Sequence, residues 1–178
     1  GGVVWGSARV LCEHLDAHPQ VVRGKSVFEL GSGTGVAALL CCSMGAKVVT
    51  ATDVPEQLAL IEHNARLNPS LRLKVAPLKW GSATDLAAVV TPGTSPDVLI
   101  GTDLVYAGAD VDALVSTLHA LLGPTTQALV VLRTGRQLAA PEVNRFLAEC
   151  SQRFAVETKD TTSPEGVTFV LSTLTRKS

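Results

Sequence analysis

Residues 29–35 read Glu-Leu-Gly-Ser-Gly-Thr-Gly, and Asp53 closes the next apolar run. Residues 25–30, Lys-Ser-Val-Phe-Glu-Leu, have the character of a short strand, while Val36, Leu39, Leu40 and Met44 recur at helical spacing after the glycines. Gly31, Gly33 and Gly35 therefore fall where a strand turns into a helix. Without side chains they let a ligand lie directly on the backbone, close to a helix N-terminus. Glu29 precedes the turn and Asp53 ends the following strand, so two carboxylates face one ligand.

Two carboxylates suit hydroxyl and ammonium groups better than a pyrophosphate. A ribose diol joined to an amino-acid tail has both, which points to S-adenosylmethionine. A dinucleotide fingerprint requires G-x-G-x-x-G, its third glycine allowing close helix packing. Counted from Gly31, that position holds Val36. An acid after the second strand occurs in both classes, so Asp53 alone does not choose between them. An NAD-dependent oxidoreductase stays a distant alternative, as does a glycine-rich turn that holds no ligand.

Working outward, Ser7 is expected to cap a first helix carrying Ala8, Leu11, Cys12 and Leu15 on one face. Gly45 ends the helix after the glycine turn. Residues 47–52 form strand two, and Pro55 opens a helix to about Leu67. Strand three covers 71–78 and a short helix 82–90, with a turn-rich loop from Thr91 to Pro96. Strand four is 97–102, then a helix at 109–122 is stopped by Gly123-Pro124. Strand five is 127–133, and residues 141–151 form a helix. Two last strands, 154–159 and 167–175, are joined by a polar loop with Pro164 and Gly166.

Alternating strands and helices predict an α/β fold: a Rossmann-like, doubly wound, mostly parallel sheet of seven strands. No helix separates the last two strands, so one C-terminal strand should run antiparallel. With no repeat or linker, residues 1–178 read as a single domain. Ligands in such sheets bind beyond the carboxyl ends of the strands, where strand order reverses. The glycine turn, Asp53, Trp80-Gly81 and Asp103–Tyr106 all follow strands one to four, so they converge on one crevice.

Composition excludes several classes. The formal net charge is −1, and lysines and arginines are scattered, so the basic stripe of a nucleic-acid binder is missing. No apolar run is long enough to span a bilayer, and no signal-peptide pattern occurs. Cys12, Cys41, Cys42 and Cys150 make no CxxC pair and read as small apolar residues in a reducing compartment. His14, His18, His63 and His119 lack metal-ligand spacing, so no metal is expected. No Ser-His-Asp or Cys-His set falls at strand ends, which speaks against a hydrolase. The chain begins Gly1-Gly2 rather than with Met, as a part of a longer protein would.

Trp5, Glu29–Gly35, Thr52-Asp53, Leu78-Lys79-Trp80-Gly81 and Gly101-Thr102-Asp103-Leu104-Val105-Tyr106 together resemble the seven-β-strand methyltransferases of family 16. That family is dominated by protein-lysine methyltransferases acting on chaperones, translation elongation factors and related proteins. The likeness runs from Trp5 to about Lys159, and it implies the class I methyltransferase fold. It implies that the turn Gly31-Ser32-Gly33-Thr34-Gly35 holds the methionine portion of S-adenosylmethionine, with Glu29 at its edge. Asp53 would bind the ribose hydroxyls, and Val54 would pack near the adenine. Trp80 would lie along that base with Gly81 beside it, Trp5 would close over the cofactor, and Thr102 would line the site. Asp103 and Tyr106 match the acidic-x-x-aromatic motif beside the methyl group and are the catalytic candidates. The family usually carries more chain ahead of the Trp5 segment, often a β-hairpin at the substrate entrance.

Methyl transfer to a lysine amine asks mainly for alignment and for loss of a proton, since the unperturbed amine has a pKa of about 10.4. Asp103 is expected to orient the amine and Tyr106 to wall it or hydrogen-bond it. A base-modifying enzyme would often carry Asn/Asp-Pro-Pro-Tyr/Phe after strand four; this chain has Asp103-Leu104-Val105-Tyr106. The expected protein is a monomeric, cytoplasmic enzyme with nuclear access open to it, acting on a protein and producing S-adenosylhomocysteine. A small-molecule N-methyltransferase of the same fold and a non-catalytic cofactor-binding module remain alternatives.

Overall fold

The computed structural model describes residues 3–91, 93–134, 141–163 and 166–177. Gly1, Gly2, Pro92 and Pro164, which carried the chain-start and turn readings, lie outside them. The helices are α1 (Gly6–Ala17), α2 (Val36–Ser43), α3 (Pro55–Arg66), α4 (Ala83–Val89), α5 (Val111–Leu121) and α6 (Pro141–Arg153). The strands are β1 (Ser26–Leu30), β2 (Val48–Asp53), β3 (Leu73–Pro77), β4 (Val98–Thr102), β5 (Gln127–Thr134), β6 (Phe154–Thr162) and β7 (Thr168–Arg176). They form one sheet in the order β3-β2-β1-β4-β5-β7-β6. The first five strands are parallel because each is joined to the next by a helical crossover, whereas β7 runs antiparallel to both β5 and β6.

Successive side chains along a strand point to opposite faces, so each strand feeds two apolar clusters. Phe28, Leu30 and Leu99 pack with α5 and α6 through Leu114, Leu118 and Phe146. Val27, Val98 and Ile100 pack with α1, α2 and α3 through Leu11, Ala38 and Ile61. Three helices thus cover each face, with α4 joining the first cluster through Leu86 and Val89. Phe146 is 0 % exposed in that cluster, and Phe146→Ala is expected to lower stability by about 3–5 kcal/mol in urea unfolding. A loss under about 1 kcal/mol would contradict that packing.

Element ends follow local chemistry. α2 stops as expected at Gly45 (φ +84°), with Gly45 N–H bonded to Cys42 C=O and Ala46 N–H to Cys41 C=O, both 3.1 Å. Two features differ from the sequence reading. Ser7 does not cap α1: Trp5 holds that position, and Ser7 lies inside the first turn, fully buried. β6 continues past Lys159 to Thr162, because its pairing with β7 runs on to Thr162–Thr168. This is an edge strand whose outer half is exposed, so apolar alternation fades while backbone pairing persists.

Candidate active site

Parallel register brings the strand ends to one edge: Leu30 pairs with Thr52 and with Gly101, and Asp53 pairs with Pro77. Strand order reverses between β1 and β4, which is where a crevice opens in such sheets. A cavity of about 980 Å³ lies there, walled by the glycine turn, Asp53-Val54, Leu78–Trp80 and Thr102–Gly108.

Its first half is built by the two βα turns. Asp53 accepts hydrogen bonds from Gly33 N–H and Val54 N–H, each 2.8 Å, so one carboxylate ties the turns together. Each oxygen keeps a lone pair for a ligand hydroxyl. A β-carbon on Gly33 (φ +54°) would meet no atom within 4 Å, so a side chain there would fill open space at the wall. Ser32 N–H bonds Thr52 C=O at 3.0 Å and Ser32 Oγ accepts from Thr52 N–H at 3.1 Å, fixing the turn against β2.

Glu29 is buried on β1 and also lines this cavity. Burial pushes its carboxyl up to about 8, the Asp53 charge adds to that, and hydrogen bonds from Ser32 and Ala38 oppose it. Among the described residues its Oε2 has no hydrogen-bond partner. An orphan carboxylate oxygen at a ligand wall calls for a cationic or donor group from outside. Orphan acid, anchored Asp53 and bare glycine wall together fit S-adenosylmethionine: ammonium near Glu29, ribose diol on Asp53, methionine backbone along Gly31–Thr34.

The second half follows β4. Asp103 has φ +50°, the one non-glycine residue with positive φ among those described. Its N–H bonds Val131 C=O at 3.0 Å, and its Oδ2 accepts from Ser7 Oγ of α1. Burial raises the Asp103 carboxyl above its ordinary range, while the Ser7 hydroxyl and Arg133 pull it down. Tyr106 is 60 % exposed at the cavity mouth, so it is not core filler. Val3, Val4, Trp5 and Val54 are also exposed and line the same cavity, giving it an apolar rim.

The structure brings Trp5, Glu29, Gly31, Ser32, Gly33, Thr34, Asp53, Val54, Trp80, Thr102, Asp103 and Tyr106 to this wall. Gly35 and Gly81 stand behind it. Gly35 begins α2 at φ +75°, and a β-carbon there would come within 2.9 Å of Ile61. Gly81 N–H bonds Thr117 Oγ1 at 2.9 Å, holding the Trp80 segment to α5. Trp80 itself is half-buried and packs on the α5 side of the core. Arg133, at the end of β5, lines the cavity and was missed; the rule that ligands gather at parallel strand ends extends to the fifth strand and would have found it. Burial also pushes the Cys12 thiol up to about 11 and Cys150 to about 12, which keeps both weakly nucleophilic. Among the described residues no group of three or more potential ligands could hold a metal, and no helix is long and apolar enough to cross a membrane.

Sheet order and crevice define the class I methyltransferase fold. A ribosomal protein L11 methylase from Lactobacillus delbrueckii subsp. bulgaricus superposes with a TM-score of 0.66 at 20 % identity, covering 97 % of this chain and 78 % of that one. Magnesium protoporphyrin IX methyltransferase from Synechocystis PCC 6803, with S-adenosylhomocysteine bound, gives 0.64 at 13 % identity, covering 95 % and 82 %. The family profile described as lysine methyltransferase matches residues 1–152, and the chain belongs to that family. Protein N-lysine methyltransferase METTL21A of Danio rerio is 36 % identical over 159 residues, covering 87 % of this chain and 69 % of its own length. EEF1A lysine methyltransferase 3 of Mus musculus is 37 % identical over 123 residues, covering 68 % and 50 %. Across these two relatives the chain therefore spans 50 % to 69 % of the longer sequence.

Proposed function

We propose that the protein transfers a methyl group from S-adenosylmethionine to a lysine side-chain amine of another protein. When bound, this cofactor supplies a methyl carbon on a sulfonium, electrophilic enough that the protein need only align and prepare the acceptor. Glu29, Asp53 and the Gly31–Thr34 turn hold the donor. Asp103 accepts a hydrogen bond from the incoming amine and aims its lone pair. Apolar Val3, Val4, Trp5 and Tyr106 strip water from the approach and so favour the neutral amine, offsetting the carboxylate's preference for an ammonium. The released proton passes to water at the open mouth.

The observation that carries this reading is the half-buried Asp103 carboxylate beside an exposed apolar rim. A rim of this kind suits a side chain presented on a protein surface better than a metabolite enclosed on all sides. The named elongation-factor activity of the mouse relative makes translation factors, then chaperones, the acceptors to test first. A monomer in the cytoplasm, reaching the nucleus as well, completes the proposal. Incubation with tritiated S-adenosylmethionine and a cell lysate is expected to label discrete protein bands at mapped lysines. Label confined to small molecules or nucleic acid would overturn the acceptor class.

A further inference from the structure

We propose that Ser7 is a positioning residue that aims the Asp103 carboxylate, a role that rests on Asp103 receiving the acceptor amine. Ser7 is 0 % exposed and lines neither cavity next to Asp103, so its hydroxyl reaches the site through that carboxylate. Asp103 itself borders two spaces. One is the large cavity already described; the other, of about 360 Å³, lies between the start of α1 and residues Thr161, Ser163, Val167 and Phe169. A carboxylate on this wall can therefore face either way, and only one direction meets an amine in the large cavity.

The Ser7 hydroxyl breaks the tie by donating to Oδ2. Two packing features hold the donor in place. Gly6 lets the first turn of α1 lie against β7, where a β-carbon would come within 2.8 Å of Phe169. Asp103, at φ +50°, is turned back from the end of β4 with its N–H tied to β5. Other charged groups around the carboxylate are Arg133 on β5 and, farther along the smaller cavity, the paired Arg9 and Glu13 of α1. Because Ser7 lies two residues after Trp5, the same helical turn links the apolar rim to the acceptor carboxylate.

The test is a carbon-13 NMR titration of aspartate-labelled protein, with the Asp103 signal assigned by its loss in Asp103→Asn. A hydrogen bond to the ionised carboxylate holds its titration down, so Ser7→Ala is expected to raise the Asp103 midpoint by about one pH unit. Ser7→Cys, a weaker donor of similar size, is expected to fall between, and Ser7→Thr to restore the wild-type midpoint. The acid limb of tritium transfer into lysate protein is expected to move up with the midpoint in Ser7→Ala and return in Ser7→Thr. A purely structural serine would lower the melting temperature and leave midpoint and limb unmoved, and that result in folded Ser7→Ala or Ser7→Cys overturns the proposal. Wild-type transfer by Asp103→Asn would instead overturn the acceptor reading, a separate outcome from unchanged titration in the Ser7 variants.

Discussion

Asp103→Asn is expected to lower methyl transfer about 100-fold while S-adenosylmethionine affinity stays within about twofold of wild type, as misaligning an acceptor costs rate rather than donor binding. Asparagine is the informative replacement. It tolerates the left-handed conformation that Asp103 adopts at φ +50°, where alanine would add strain. It also keeps an oxygen able to accept from Ser7, so the fold around α1 is preserved. What it removes is the charge that orients the amine. Single-turnover transfer from tritiated donor, with calorimetric binding alongside, separates the two quantities. A wild-type rate would take Asp103 out of the reaction.

The second large effect concerns Glu29. Its carboxyl, pushed up to about 8 from an ordinary value of 4.5, is mostly protonated at pH 7 before the donor binds. An arriving ammonium favours the ionised form, so binding near pH 7 is expected to release about one proton. Affinity should therefore rise with pH up to about 8. Glu29→Gln removes the charge-assisted contact, and about a 10- to 100-fold loss of affinity is expected, with the pH slope abolished. Calorimetry in buffers of different ionisation enthalpy reads the proton directly; the same heat in every buffer would contradict the role. Folding linkage carries the matching sign. The folded-state value lies above the unfolded one, so stability without ligand is fully present below about 4.5 and falls as pH climbs through about 8. Unliganded Glu29→Gln should accordingly gain most over wild type at pH 9.

Much of this was legible in the chain. Glycines at strand-to-helix turns, Pro55 at a first helical position and Gly45 past a helix end are local signals with local causes, and they placed most elements within a few residues. The convergence of Glu29, Asp53, Trp80 and Asp103 followed from parallel register alone. What stayed hidden depends on contacts between distant segments. Ser7 looks like an N-cap because its neighbours in sequence say so, yet its hydroxyl is used 96 positions away. β6 is set by pairing with β7 rather than by its own polar residues 157–162. Gly35 and Gly81 share the chemistry of the bare turn, but a β-carbon on Gly35 would meet Ile61 and the Gly81 N–H is bonded to Thr117.

The most direct measurement is a crystal structure with S-adenosylhomocysteine. The expected placement has the ribose hydroxyls on Asp53, the ammonium beside Glu29, and the thioether sulfur facing the Asp103–Tyr106 side of the cavity. Ligand seated elsewhere, or a cavity closed by its own side chains at saturating ligand, would contradict it.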